Sequence, residues 1–298
     1  MPRRIGIARG GMALEVAPDL GGAIASLTFG EVDILRPLPA GEDVIVNQSA
    51  CYPLVPYSNR IAGGRFAYEG ERFQLARNFG DHPHSIHGNA WQRPWEVADT
   101  SDRSIALTFV HSPVKGEEHH WPWPYQATQL FELHDRELTV ELTYRNLAGK
   151  AVPVGLGFHP YFPDASAALL HFSAGKVLFN GPDSLPVSMG EVPPEWSYRS
   201  PRAPVAGSID NCFCDWEGPA TITWPGRKVT VAIDSPQATN AVLFIPPAAK
   251  NFVAVEPVTN VNNAINDLPV DLDGRAMRRV APGETLSLQM SIRVSSHE

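Results

Sequence analysis

Apolar and polar residues alternate with a period of two along much of this chain. In Leu138-Thr139-Val140-Glu141-Leu142-Thr143-Tyr144 the apolar side chains fall on one face and the threonines and glutamate on the other. That alternation is the mark of a half-buried strand. Strand-like runs recur at 12–17, 20–27, 104–110, 127–133, 220–224, 228–234, 241–245 and 285–294. His134-Asp135-Arg136 joins 127–133 to 137–145 as an antiparallel hairpin. No region repeats apolar residues at helical spacing for the ten or so positions a helix needs. Strands do not alternate with helices, which argues against a parallel βαβ sheet. The pattern predicts an all-β fold, a large antiparallel β-sandwich, with residues 1–298 forming one domain.

The 28 prolines and 24 glycines are spread through the chain and favour many short strands over long helices. With 43% hydrophobic residues over 298 positions there is ample material for a core. A formal net charge of −8 argues against nonspecific partners such as nucleic acid or an anionic membrane surface. Pro2-Arg3-Arg4 is followed by too little apolar sequence for a signal peptide. No stretch approaches the roughly 18 apolar residues of a membrane helix. The expected compartment is the cytoplasm. Three cysteines, Cys51, Cys212 and Cys214, fit a reducing compartment rather than a disulfide framework. Cys212 and Cys214 flank Phe213, so on a strand both point to one face and serve as small apolar packing.

Five segments crowd polar functional groups among glycine, proline or aromatic residues. Gly157-Phe158-His159-Pro160-Tyr161-Phe162 sets a histidine before a proline, which turns its backbone away from helix. An imidazole there is either a structural group at a strand end or a proton donor and acceptor near neutral pH. Asn59-Arg60-Ile61-Ala62-Gly63-Gly64-Arg65-Phe66 implies a tight turn just after Arg60, which is either a surface arginine in a hairpin or a guanidinium suited to hydroxyls or carboxylates. His82, His84 and His87 invite a metal, but their spacing is not helical and no carboxylate lies among them. A sugar site accounts better for His87, Gly88 and Trp91, as hydrogen-bonding groups beside an aromatic platform. Asp210, in Ile209-Asp210-Asn211, either accepts from ligand hydroxyls or caps a turn. Glu256 ends an apolar run before Pro257 and either faces water or, facing inward, is paired or functional, since burial of an unpaired carboxylate is unfavourable.

Taken in order, these segments resemble the aldose 1-epimerase family, also called galactose mutarotases. The resemblance begins at Gly21-Gly22-Ala23-Ile24-Ala25-Ser26-Leu27 and runs through 59–66, His87-Gly88, 157–162, Asp210 and Glu256. It implies a large antiparallel β-sandwich with a sugar site in a cleft, and proton-transfer chemistry without metal or organic cofactor. Glu256 matches the general base that takes the anomeric hydroxyl proton, and His159 the general acid that protonates the ring oxygen. His87 matches a second histidine near that oxygen, while Arg60 and Asp210 match groups that hold sugar hydroxyls. Asn59 and Trp91 join them as expected binding residues. The expected partner is a monosaccharide, and the expected state a monomer or homodimer.

The chain departs from the family pattern at Asn89, where many relatives carry a further glycine. It departs again at His119-His120-Trp121-Pro122-Trp123-Pro124-Tyr125 and at Pro257-Val258-Thr259-Asn260. The first two changes are expected near the cleft, where the indoles either stack on a sugar or cover the core. The alternatives are an epimerase for a phosphorylated hexose or another sugar, and a non-catalytic carbohydrate-binding protein on the same fold.

Overall fold

A computed structural model describes residues 1–114, 119–272 and 274–297. Two large sheets dominate, and the paired strands within them are antiparallel. The longer sheet places, side by side, the strands Glu96–Thr100, Ser104–His111, Tyr125–Leu133, Glu137–Asn146, Thr285–Ser296, Val229–Asp234, Ala220–Trp224, Leu169–Phe172 and Tyr198–Arg202. The second sheet runs Pro186–Glu191, Ala174–Asn180, Ile209–Trp216, Asn240–Ile245, Phe252–Val258, Gly157–Phe158 and Pro53–Leu54, with Tyr161–Pro163 also paired to Phe252–Val258. A smaller sheet holds the first four strands, Ile5–Arg9, Met12–Ala17, Ala23–Phe29 and Val32–Asp33. Helical structure among the described residues is confined to short 3-10 turns.

The period-two alternation sets which side chains meet. Leu138, Val140, Leu142 and Tyr144 are all buried, and Phe131 lies opposite Val140 in the expected hairpin. The main core draws Leu142, Val231 and Ile222 from the long sheet and Phe213, Leu243, Val253 and Val255 from the second. The opposite face of the second sheet carries Cys212, Cys214, Val242, Phe252 and Ala254, buried in a separate cluster. Glu256 has the parity of Ala254, so it leaves the main core and joins this second face. Cys212 and Cys214 share that face as expected, and all three cysteines are free and buried.

The Trp-Pro segment covers the core. Trp121 and Trp123 are buried against Tyr57, Phe66 and Phe73, away from any sugar-stacking position. Asn89 is buried as well, accepting from the Tyr125 hydroxyl at 2.6 Å and contacting His111 Nδ1 at 3.1 Å. The expectation that both departures border the sugar cleft is therefore corrected. Asn89, His119 and His120 line a separate hollow of about 290 Å³ beside Arg77 and Arg93.

Candidate active site

A cavity of about 540 Å³ opens over the second face of the second sheet. Neighbouring strands pair Cys212 with Val242 and Val242 with Glu256, which sets Glu256 in its floor. Glu256 is 2% exposed and His159 6% exposed, and both line the cavity. His159 sits in the break between Gly157–Phe158 and Tyr161–Pro163, its backbone N–H donating to Tyr52 O at 3.0 Å. Pro160 occupies the same break, and the His159 imidazole faces Glu256.

His159 Nε2 and Glu256 Oε1 are 3.1 Å apart. Burial pushes the Glu256 carboxyl well above its ordinary range; the Asp210 charge adds to this and Arg60 opposes it. Burial pushes His159 down to about 3, with the Arg36 cation contributing in the same direction. Both shifts have one meaning. Loading the pair with two protons makes a buried cation and stripping both makes a buried anion, so the dyad holds one proton between its members. Tyr161 is the next polar neighbour, its hydroxyl 3.4 Å from His159 Nε2 and 3.2 Å from the Tyr52 hydroxyl.

His87 faces the dyad edge-on, with ring centroids 5.6 Å apart. Its Nδ1 accepts the Asn59 backbone N–H at 3.0 Å, so the ring proton of the neutral imidazole resides on Nε2. Burial, then the neighbouring His159, Arg60 and His82, push its pKa well below the ordinary value. His87 is thus a neutral donor. It adopts a φ of 62°, and Gly88 follows at 73°. A Cβ on Gly88 would lie 2.1 Å from Val55 O, so only glycine lets the two backbones approach this closely.

Arg60 enters the cavity from the strand Arg60–Ile61, ahead of Gly63 and Gly64, whose φ angles of 57° and 69° make the expected turn. Its Nη1 donates to Asn59 Oδ1 at 3.0 Å and its Nη2 to Asp210 Oδ2 at 3.1 Å. Asn59 therefore orients both Arg60 and His87. Asp210 arrives from a different strand, and the fold brings Glu256, His159, His87, Arg60, Asp210 and Asn59 to one cavity.

Trp91 is the exception. It is 1% exposed and lies behind Tyr52, stacked on that ring at 5.2 Å, with its Nε1 donating to Gly88 O at 3.1 Å. The expected sugar platform is corrected to a buttress; Tyr52 presents the aromatic surface to the cavity. The histidine cluster does not converge either. His84 Nδ1 accepts from Gly63 N–H, His82 Nδ1 from His84 N–H, and His87 Nδ1 from Asn59 N–H. Among the described residues no group of three metal-ligating side chains comes together.

A sequence profile for aldose 1-epimerases matches residues 4–293. The chain belongs to the aldose 1-epimerase family. Within this family setting, YphB of Escherichia coli K12, itself uncharacterised, is 29% identical over 296 residues, 97% of each chain. Galactose mutarotase of Homo sapiens is 31% identical over 138 residues, 46% of this chain and 38% of that protein. A solved Escherichia coli K12 structure, described provisionally as an aldose 1-epimerase, superposes with a TM-score of 0.88 at 27% identity over 99% of both chains. Membership supports an isomerase of the epimerase type with a small sugar as substrate.

The sequence alone did not single out Arg36, Tyr52, Asn262 or Asn263, and marked Thr259-Asn260 only as a departure from the family pattern. Asn260 Oδ1 accepts the Ser58 N–H at 3.1 Å, and its Nδ2 donates to Ser58 O at 3.2 Å. Asn262 Oδ1 accepts the Arg60 N–H at 3.3 Å and Asn263 Oδ1 the Ala62 N–H at 2.9 Å. These asparagines clasp the Arg60 loop to the strand of Glu256. Three asparagines within four positions after an apolar strand were the signal available for this.

Proposed function

We propose that the protein interconverts the α and β anomers of an aldose by general acid–base catalysis. The carrying observation is the buried contact of 3.1 Å between His159 Nε2 and Glu256 Oε1. Ring opening needs one group to accept a proton and one to donate, and a singly protonated dyad supplies both. Burial favours the shared proton on Glu256. Its passage across the 3.1 Å contact to His159 gives the reactive form, in which the Glu256 carboxylate takes the proton of the anomeric hydroxyl. The O1 electron pair forms the C1=O1 double bond, the C1–O5 bond breaks, and O5 takes the proton from His159. Rotation about C1–C2 and reversal of these steps yields the other anomer with the dyad's proton count restored.

His87 Nε2–H serves as a neutral donor to the ring oxygen or an adjacent hydroxyl. Arg60 and Asp210 hold sugar hydroxyls, and Asn59 keeps Arg60 and His87 in register. Each acid or base is worth about 10²- to 10⁴-fold in rate. Glu256→Gln and His159→Asn should each lose mutarotation by about that factor while sugar binding survives. Polarimetry of freshly dissolved glucose, galactose, xylose, arabinose and fucose checks this. A Glu256→Gln protein as fast as the parent would rule out the base assignment.

A further inference from the structure

The cavity holds two cations that anomer exchange does not use. Arg36 stands at its edge, its backbone N–H donating to Tyr161 O at 2.8 Å. Its Nη2 donates to the carbonyls of Asn47 at 2.7 Å and Ser49 at 3.0 Å. Its guanidinium carbon lies 3.9 Å from the Tyr161 ring centroid and 4.8 Å from that of Phe252. These contacts fix the group, yet none is with a carboxylate, and Nε is buried without a partner. Lys250, exposed at the end of the 3-10 turn Ala248–Lys250, lines the same cavity two residues from Phe252. Among the described residues neither cation has an ion-pair partner.

The remaining charges in the cavity cancel. Arg60 is paired with Asp210, and Glu256 with His159 shares one proton. A chain of formal net charge −8 therefore keeps an uncompensated positive end in this cavity. Burial works against the Arg36 charge, which an anion would relieve. Strand register fixes where that end lies. Asp210 is opposite Phe244, Phe244 opposite Ala254, and Ala254 opposite Tyr161, while Arg36 is bonded to the backbone of Tyr161. Asp210 and Arg36 thus lie at opposite ends of one row across the sheet beneath the cavity.

We propose that Arg36 and Lys250 form an anion subsite, and that the preferred substrate is an aldose bearing a phosphate or carboxylate on its exocyclic carbon. This rests on the anomer-exchange reading for what happens at C1, but the subsite is tested by binding alone. Calorimetric titration of the intact protein at low salt with glucose, glucuronate and glucose 6-phosphate reads it directly. At least one anionic sugar should bind about 10- to 100-fold tighter than glucose, the worth of a charge-assisted hydrogen bond. Which one prevails identifies the group. Added salt should shrink the preference, since Lys250 is exposed. Arg36→Gln should bring the anionic-to-neutral affinity ratio close to one. Lys250→Gln, on an exposed turn and no threat to folding, should lower it several-fold. Equal affinities for the three sugars, or a preference that survives both substitutions, would overturn the subsite. Mutarotation of the same sugars is scored separately: preference without acceleration refutes anomer exchange alone, and acceleration without preference refutes the subsite alone.

Discussion

At the scale of single residues, chemistry depends on two groups taken out of water together. Glu256 by itself would be an unfavourable buried carboxylate, and His159 by itself an imidazole held neutral. At 3.1 Å they become one titrating unit, with consequences for pH dependence. As pH falls through the lowered value of about 3, a second proton loads the dyad and the base is lost. As pH rises through the raised Glu256 value, the shared proton leaves and the acid is lost. Between the two limbs kcat should be level, with no inflection at the ordinary imidazole value of about 6.5. A pH–rate profile by polarimetry, corrected for the spontaneous reaction, decides this. An inflection near that value would mean that His159 titrates as an isolated group.

At the scale of elements, the site depends on how a loop is pinned to a strand. The Arg60 loop makes little regular structure of its own and is held by the asparagines that follow Glu256. Asn260→Ala removes bonds to both the N–H and the carbonyl of Ser58, leaving buried backbone groups without their partners. The expected loss is about 2–4 kcal/mol of stability, read by urea denaturation. KM should rise with it, because Arg60 and Asn59 lose their fixed position. A variant with unchanged stability and unchanged KM would remove the clasp from the account.

At the scale of the whole molecule, the core and the cavity occupy opposite faces of the second sheet. Leu142, fully buried in the long sheet and paired in register with Leu288, belongs to the core alone. Leu142→Ala should cost about 2–5 kcal/mol of stability through lost burial and the space left behind. Calorimetric unfolding measures that loss, and kcat at a temperature where the variant stays folded should match the parent. A large fall in kcat would show that the long sheet supports the site more directly than its position implies.

Much of the fold was legible in the sequence because alternation is a local property. Residues two apart on a strand share a face, so Leu138 to Tyr144 announced their strand, and Cys212 and Cys214 their common side. The order of the motifs likewise named Glu256, His159, His87, Arg60, Asp210 and Asn59. What the sequence could not express was distance between segments far apart in the chain. His159 and Glu256 are 97 positions apart, and the pairing of Gly157–Phe158 and Tyr161–Pro163 with Phe252–Val258 makes them neighbours. Trp91 shows the same limit from the other side. A tryptophan beside His87 and Gly88 has the composition of a sugar platform, but packing set Tyr52 in front of it. Arg36 gave no local sign, because an unpaired cation is defined by the carboxylates absent around it. Local pattern determined the strands, their faces and the chemical groups; tertiary packing decided which groups meet, which are dry, and which charge has no partner.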